Sequence, residues 1–228
     1  MSTPSGPKNG PTIWEVVSFR ATKDYVNNPS LFEPVTRTVS QHTSHGIYTG
    51  LQIEEPTNRV TSFTGWDSIE QHVAFTKTST FARLTPHVAN CTTEEPEVRH
   101  VSFEGDGDEL LALRAPVTEL AWMTPKPGVD DTEFQQAVKL GTELFHKDER
   151  CLGAAWGMVI EPVSLKNMAV YVAGWNSKEE REEVVEALFK EMHARSEGVR
   201  GADGKQAKSY DEISDLTLLH LKLRPGRD

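Results

Sequence analysis

Two short stretches decide the fold: GWDSIEQ at Gly65–Gln71 and GWNSKEE at Gly174–Glu180. In each, a glycine and a tryptophan close an apolar run. A serine then opens a polar segment with Gln or Glu three residues on. Ser-x-x-Gln/Glu is the pattern of a capping box: the hydroxyl accepts from the third helical amide, and that residue's side chain reaches back to the cap amide. The glycines read as permitting the turn out of a strand. The same strand exit, tryptophan and helix start therefore occur twice, with the tryptophans 109 positions apart.

Upstream, GIYTGLQIE (Gly46–Glu54) matches GAAWGMVIE (Gly153–Glu161) at a shift of 107. The two-residue difference falls among turn signals, EPTN in one copy and EPVSLKN in the other, where a loop tolerates insertion. VRHVSF (Val98–Phe103) matches LLHLKL (Leu218–Leu223), setting His100 opposite His220. WEVV (Trp14–Val17) matches TELA (Thr118–Ala121), setting Glu15 opposite Glu119. Four weak matches in one order make an internal repeat.

Each copy reads as β-α-β-β-α-β. In the first, the strands are expected at Ile13–Arg20, Ile47–Glu54, Arg59–Gly65 and Glu97–Glu104. Its helices are expected at Pro29–Thr43, with Ser30 as cap, and at Ser68–Val88. In the second, the strands fall near Val117–Thr124, Ala154–Glu161, Met168–Gly174 and Leu216–Leu223. Helices fall near Asp131–Lys147 and Ser177–Ser196. Residues 1–11 form a polar leader, 12–104 the first repeat, 105–115 a linker that turns apolar and packs down in part, and 116–224 the second repeat. The order is that of a ferredoxin-like split βαβ unit. Its helices cover one sheet face, so the other face needs a partner. Two such α+β units whose sheets pack as a barrel meet that need. A further homodimer stays open.

Bulk composition narrows the partners. With 37% hydrophobic and 25% charged residues, the chain has the make-up of a globular protein. A net charge of −10 argues against a nucleic-acid backbone as partner. No apolar run reaches the roughly 18 residues of a membrane span. Two cysteines, Cys91 and Cys151, form no disulfide framework, and a cytoplasmic setting is the expectation. Nucleotide-binding glycine loops, the GxSxG elbow and HExxH are all missing.

The chain resembles the dimeric α+β barrel superfamily and, within it, the antibiotic-biosynthesis monooxygenase group. The resemblance rests on the doubled β-α-β-β-α-β order and on GWDSIEQHVAFTKTSTF at Gly65–Phe81, and at the level of fold it covers most of the chain. It implies a pocket between each sheet and its helices, with Trp66 and Trp175 at the wall, and no bound cofactor. The polar pocket group would be His72, whose counterpart in the second copy is Arg181, so the first copy is the one expected to be active. The haem-degrading branch of the superfamily fits less well. It expects an Asn on the first strand, which neither copy has, and a helical His where Thr76 stands.

Glu15 and His100 lie on the first and last strands of a unit, which are neighbours in this order. A carboxylate that orients an imidazole gives a general base near neutral pH. A structural ion pair is the plainer reading of the same two residues. Tyr48 and Trp156 could stack on a planar substrate or simply fill the core. His42 and His45 in HTSH are spaced for one helix face, but no third ligand follows, so no metal is assigned. His146, in a charged helical segment, reads as solvated. The function expected is a cofactor-independent monooxygenase or a cyclase/isomerase. It would take a small apolar or aromatic, polyketide-like molecule, with His72, His100 and Glu15 in the chemistry. The alternatives are a binding or stress-response barrel without catalysis and, third, a haem-binding protein.

Overall fold

The computed structural model describes residues 11–43, 45–104, 108–196 and 210–226. The fold class is α+β with an eight-stranded antiparallel barrel. The chain divides into two compact units. The first comprises Met1–Phe103, Ile160–Pro162 and Arg224–Asp228; the second comprises Glu104–Val159 and Val163–Leu223. Each is described by itself.

The first unit carries β1 (Ile13–Arg20), β2 (Ile47–Gln52), β3 (Arg59–Trp66) and β4 (Glu97–Glu104). Their lateral order is β4-β1-β3-β2, the order of a ferredoxin-like unit. The helical segments differ from expectation. Between β1 and β2 the chain makes α1 (Lys23–Asn27), a 3₁₀ turn at Pro29–Phe32 and α2 (Glu33–Ser40). Thr22, not Ser30, caps the first of these, accepting from the amide of Tyr25. After β3 come α3 (Ile69–Thr76), α4 (Ser79–Ala82) and α5 (Thr85–Cys91) in place of one long helix. The breaks have local causes. Thr78 takes an extended conformation and caps α4, and Pro86, which lacks an amide hydrogen, opens α5. The broken helices cover one sheet face densely. Tyr25, Phe32, Val35, Val39, Phe75 and Leu84 pack there on Phe19, Ile47, Val60 and Trp66.

The second unit begins with α6 (Asp108–Arg114), whose Ala112 and Leu113 are buried. It continues with β5 (Val117–Pro125), α7 (Asp131–Phe145), β6 (Gly153–Glu161), β7 (Ala169–Trp175), α8 (Lys178–Ser196), α9 (Tyr210–Ile213) and β8 (Ser214–Pro225). Within the unit the strands lie in the order β6-β7-β5-β8, the same arrangement as in the first. Here the two main helices are unbroken.

The repeated stretch that opened the sequence reading shows two departures from a standard strand exit and capping box. Ser68 and Ser177 accept from the amides of Gln71 and Glu180 as a capping box requires. The return bond goes one residue further back, from the amides of Asp67 and Asn176 to the side chains of Gln71 and Glu180. The glycines serve close approach, since neither has a positive φ. A Cβ at Gly65 would sit 2.4 Å from His45 Cβ, and one at Gly174 would sit 2.7 Å from Ala115 Cβ.

Candidate functional site

Strand register places Glu15 directly opposite His100 on β4 and Thr64 on β3. Directly opposed residues of antiparallel strands share a face, so Glu15 and His100 both look toward the helices. They do not touch each other through a bond of their own. His72, from α3, is inserted between them: its Nε2 lies 3.2 Å from Glu15 Oε1, and its Nδ1 lies 2.8 Å from His100 Nε2. Beyond His100, Nδ1 lies 3.4 Å from Oε2 of Glu161, which the end of β6 brings into this unit. On the other side, Trp66 Nε1 donates to Glu15 Oε2 at 2.9 Å, and its ring stacks on His72 at 5.1 Å. The structure thus gathers Glu15, His72, His100 and Trp66 into one cluster and adds Glu161.

Burial governs the protonation of this cluster. It pushes the Glu15 carboxyl up to about 7, against the pull of the Trp66 hydrogen bond. Burial also pulls His72 down to about 4, helped by the neighbouring His100, and lowers His100 against the opposing pull of Glu161. Two opposite charges at 3.2 Å attract, yet both shifts point to the neutral forms, so desolvation outweighs that attraction here. The neutral state has a consistent bond direction. Protonated Glu15 donates to His72 Nε2, His72 Nδ1–H to His100 Nε2, and His100 Nδ1–H to the half-exposed Glu161. Each neutral imidazole can donate from one nitrogen and accept at the other, as the chain requires.

Other sequence candidates lie elsewhere. Tyr48 pairs with Phe63 and packs 6.2 Å from Trp14, so alternation of the strand puts it on the face opposite Glu15 and outside the cluster. His42 packs against Phe75 with tilted rings 4.8 Å apart, while His45 bridges Thr12 and Asp67 at 3.2 and 3.1 Å. The two therefore do not converge, and no metal-binding group of three or more His, Cys, Asp or Glu occurs among the described residues. His146, read as solvated, donates from Nε2 to the carbonyl of Ala154 at 2.9 Å.

In the second unit the same carboxylate has a different partner. Glu119 is opposite His220 on β8 and accepts from Trp175 Nε1 at 3.1 Å, as Glu15 does from Trp66. Arg181 then grips it with two bonds, Nε to Oε2 at 3.0 Å and Nη2 to Oε1 at 2.6 Å. This pair lines one wall of a cavity of about 170 Å³ between the sheet and its helices. Ala121, Met123, Val138, Phe145 and Leu218 supply much of the apolar remainder. The cavity lies in the second unit, whereas the His72/Arg181 difference had pointed to the first. Side-chain size accounts for the room. At matching places the first unit has Phe19, Val17 and Val60 where the second has Met123, Ala121 and Ala169. Tyr25 and Phe32, which fill the first unit's helix face, come from α1 and the 3₁₀ turn, and the loop between β5 and α7 has no such insertion. Trp175 sits behind Glu119, edge-on to Phe145 at 5.5 Å. Trp156 is opposite the cavity-lining Tyr171 and partly exposed, beside the cavity and not among its walls.

No family model matches the chain, and no curated protein matches it. Solved structures do. A protein of Fusobacterium nucleatum provisionally named a monooxygenase aligns with a TM-score of 0.63 at 13% identity, over 94% of this chain and 93% of that one. An anthrone oxidase-like protein aligns at 0.57 with 14% identity, over 97% and 96%. A protein provisionally named a chlorite dismutase aligns at 0.56 with 8% identity, over 94% and 96%. The likeness is one of fold. The cavity does not fit a porphyrin. At about 170 Å³ it falls below the roughly 300–1,000 Å³ of pockets for drug-sized ligands, and no histidine lines it among the described residues. No helix among the described residues is long and apolar enough to cross a membrane.

Proposed function

We propose that this chain is a small-molecule enzyme of the cofactor-independent monooxygenase or cyclase/isomerase kind, taking its substrate in the second unit's cavity. The observation that carries this reading is the cavity itself: an apolar space closed at one wall by the Glu119–Arg181 pair. A cavity of similar size, about 150 Å³, takes up benzene in another protein, so the substrate is a single ring or a short polyketide-like fragment. In such chemistry a phenol or activated C–H loses a proton, here to the Glu119 carboxylate at the cavity wall, and the resulting anion supplies electrons to dioxygen or rearranges. The protein contributes orientation and a dry pocket. Once Glu119 has taken that proton, the Arg181 charge it had neutralised can hold the oxygen that gains negative charge. The names of the monooxygenase and anthrone oxidase-like proteins of similar fold support the reaction class.

The hydrogen-bonded series Glu15–His72–His100–Glu161 favours a second reading, in which the first unit handles the proton. Glu15 is then the group that changes state near neutrality, and the two imidazoles pass the proton toward Glu161. On either reading the chain is two fused copies of one unit, 12–104 and 116–224, joined through 105–115. The matched Glu–Trp bonds support this. Turnover of a panel of small phenols and enolisable ketones tests both readings. Ala121→Leu, which fills the cavity, abolishes turnover on the first reading. His72→Gln and His100→Gln abolish it on the second. Full activity in all three variants would reject both.

A further inference from the structure

The charges around the second unit's cavity restrict what can enter it. Among the described residues, three charged ones line it: Glu119, Arg181 and Asp211. Arg181, the one cation among them, is already neutralised by two bonds to Glu119, whose side chain is 2% exposed. Asp211 adds a further negative charge, and the rest of the described lining is uncharged. A ligand carboxylate would lose its hydration and meet a cation whose charge is spoken for, with Glu119 beside it. A buried charge without its own partner is strongly disfavoured. A neutral oxygen faces no such barrier. It can accept from a remaining Arg181 N–H, which keeps its full charge because burial alone opposes it while Glu119 holds it on.

We infer that the cavity selects an uncharged molecule of one ring bearing one hydrogen-bond acceptor, such as a ketone, aldehyde or quinone oxygen, and rejects carboxylates of the same size. This rests on the cavity being the substrate site. The selection is built from the pair and not from the apolar walls, which would accept any ring that fits.

Calorimetry on the full chain at pH 7.5 with acetophenone, ethylbenzene and benzoate tests it. Acetophenone is expected to bind on the order of 100-fold more tightly than benzoate and about tenfold more tightly than ethylbenzene. In Glu119→Gln/Arg181→Met, which keeps an acceptor for Trp175, the advantage over ethylbenzene disappears while ethylbenzene itself still binds. Benzoate binding as tightly as acetophenone would overturn the inference and leave the cavity standing as a site. Equal binding of acetophenone and ethylbenzene to the unaltered chain would do the same. Failure of all three ligands to bind would overturn the inference and the cavity reading together. The three-ligand comparison stands by itself if the double variant does not fold.

Discussion

His72 and His100, from a helix and a strand 28 positions apart, share a hydrogen bond of 2.8 Å between Nδ1 and Nε2 inside the protein. Two imidazoles so placed cannot both be charged, and burial keeps both neutral. Unfolding lets them protonate, which gives a stability signature. The folded pKa of His72, about 4, lies below the ordinary 6.5. The unfolded chain therefore binds more protons between these values, and stability is complete above about 6.5 and falls as pH drops toward 4. The shift corresponds to on the order of 3 kcal/mol. Urea midpoints of the unaltered chain should fall across that window, and those of His72→Gln should fall distinctly less. Parallel profiles would mean that His72 is not held neutral.

Glu15 carries the opposite sign. Its folded pKa of about 7 lies above the ordinary 4.5, so its contribution is complete below 4.5 and is lost as pH rises through 7. Deprotonated Glu15 must accept from His72, which reverses the bond direction along the series and removes the donor from Glu161. Glu15→Gln can still accept from Trp66 and donate to His72. It should match the unaltered chain at pH 5 and exceed it at pH 8, by up to about 3 kcal/mol. A Trp66 indole N–H resonance that moves with an apparent pKa near 7, and is pH-insensitive in Glu15→Gln, would report the same event directly.

Arg181 is the permanent-charge counterpart of His72, and its removal should be far more damaging. Arg181→Leu leaves Glu119 buried beside Trp175 without its cation, an arrangement that costs about 3–5 kcal/mol. Adding Glu119→Gln removes the stranded charge and should restore most of the loss. A double-mutant cycle by chemical denaturation measures the coupling. Additive losses would mean the two bonds contribute independently of charge.

Much of this architecture was legible because the same short sequence pattern occurs in both halves. A Gly-Trp strand exit followed by Ser-x-x-Gln/Glu is a local signal, and its recurrence exposed the β-α-β-β-α-β order. That the strands bearing Glu15 and His100 are neighbours followed from that order, whereas their register did not. What stayed hidden depended on distance along the chain and on volume. Glu161 reaches His100 from the end of β6, 61 positions away in sequence, and nothing local to either residue signals it. The cavity comes from a sum of small differences, Met123 for Phe19 and Ala121 for Val17 among them, together with an insertion bearing Tyr25 and Phe32. Tyr48 lies opposite Phe63 and so faces away from Glu15, because side chains alternate along a strand.

Gly65 offers a test of why the repeated stretch needs its glycine. No unusual backbone angle demands it there, because its φ is not positive. What demands it is His45, whose Cβ would lie 2.4 Å from a Cβ at position 65, with Thr12 Cγ2 at 3.2 Å. His45 is itself tied to Asp67 at 3.1 Å and to Thr12 at 3.2 Å, so it cannot move aside without breaking those bonds. Gly65→Ala should cost about 1–3 kcal/mol by overpacking. His45→Gly removes the atom that clashes, so Gly65→Ala/His45→Gly should be no less stable than His45→Gly alone apart from the residual Thr12 contact. A turn requirement predicts otherwise: the alanine would cost the same in both backgrounds. Denaturation midpoints of the four proteins decide between a glycine kept for space and one kept for conformation.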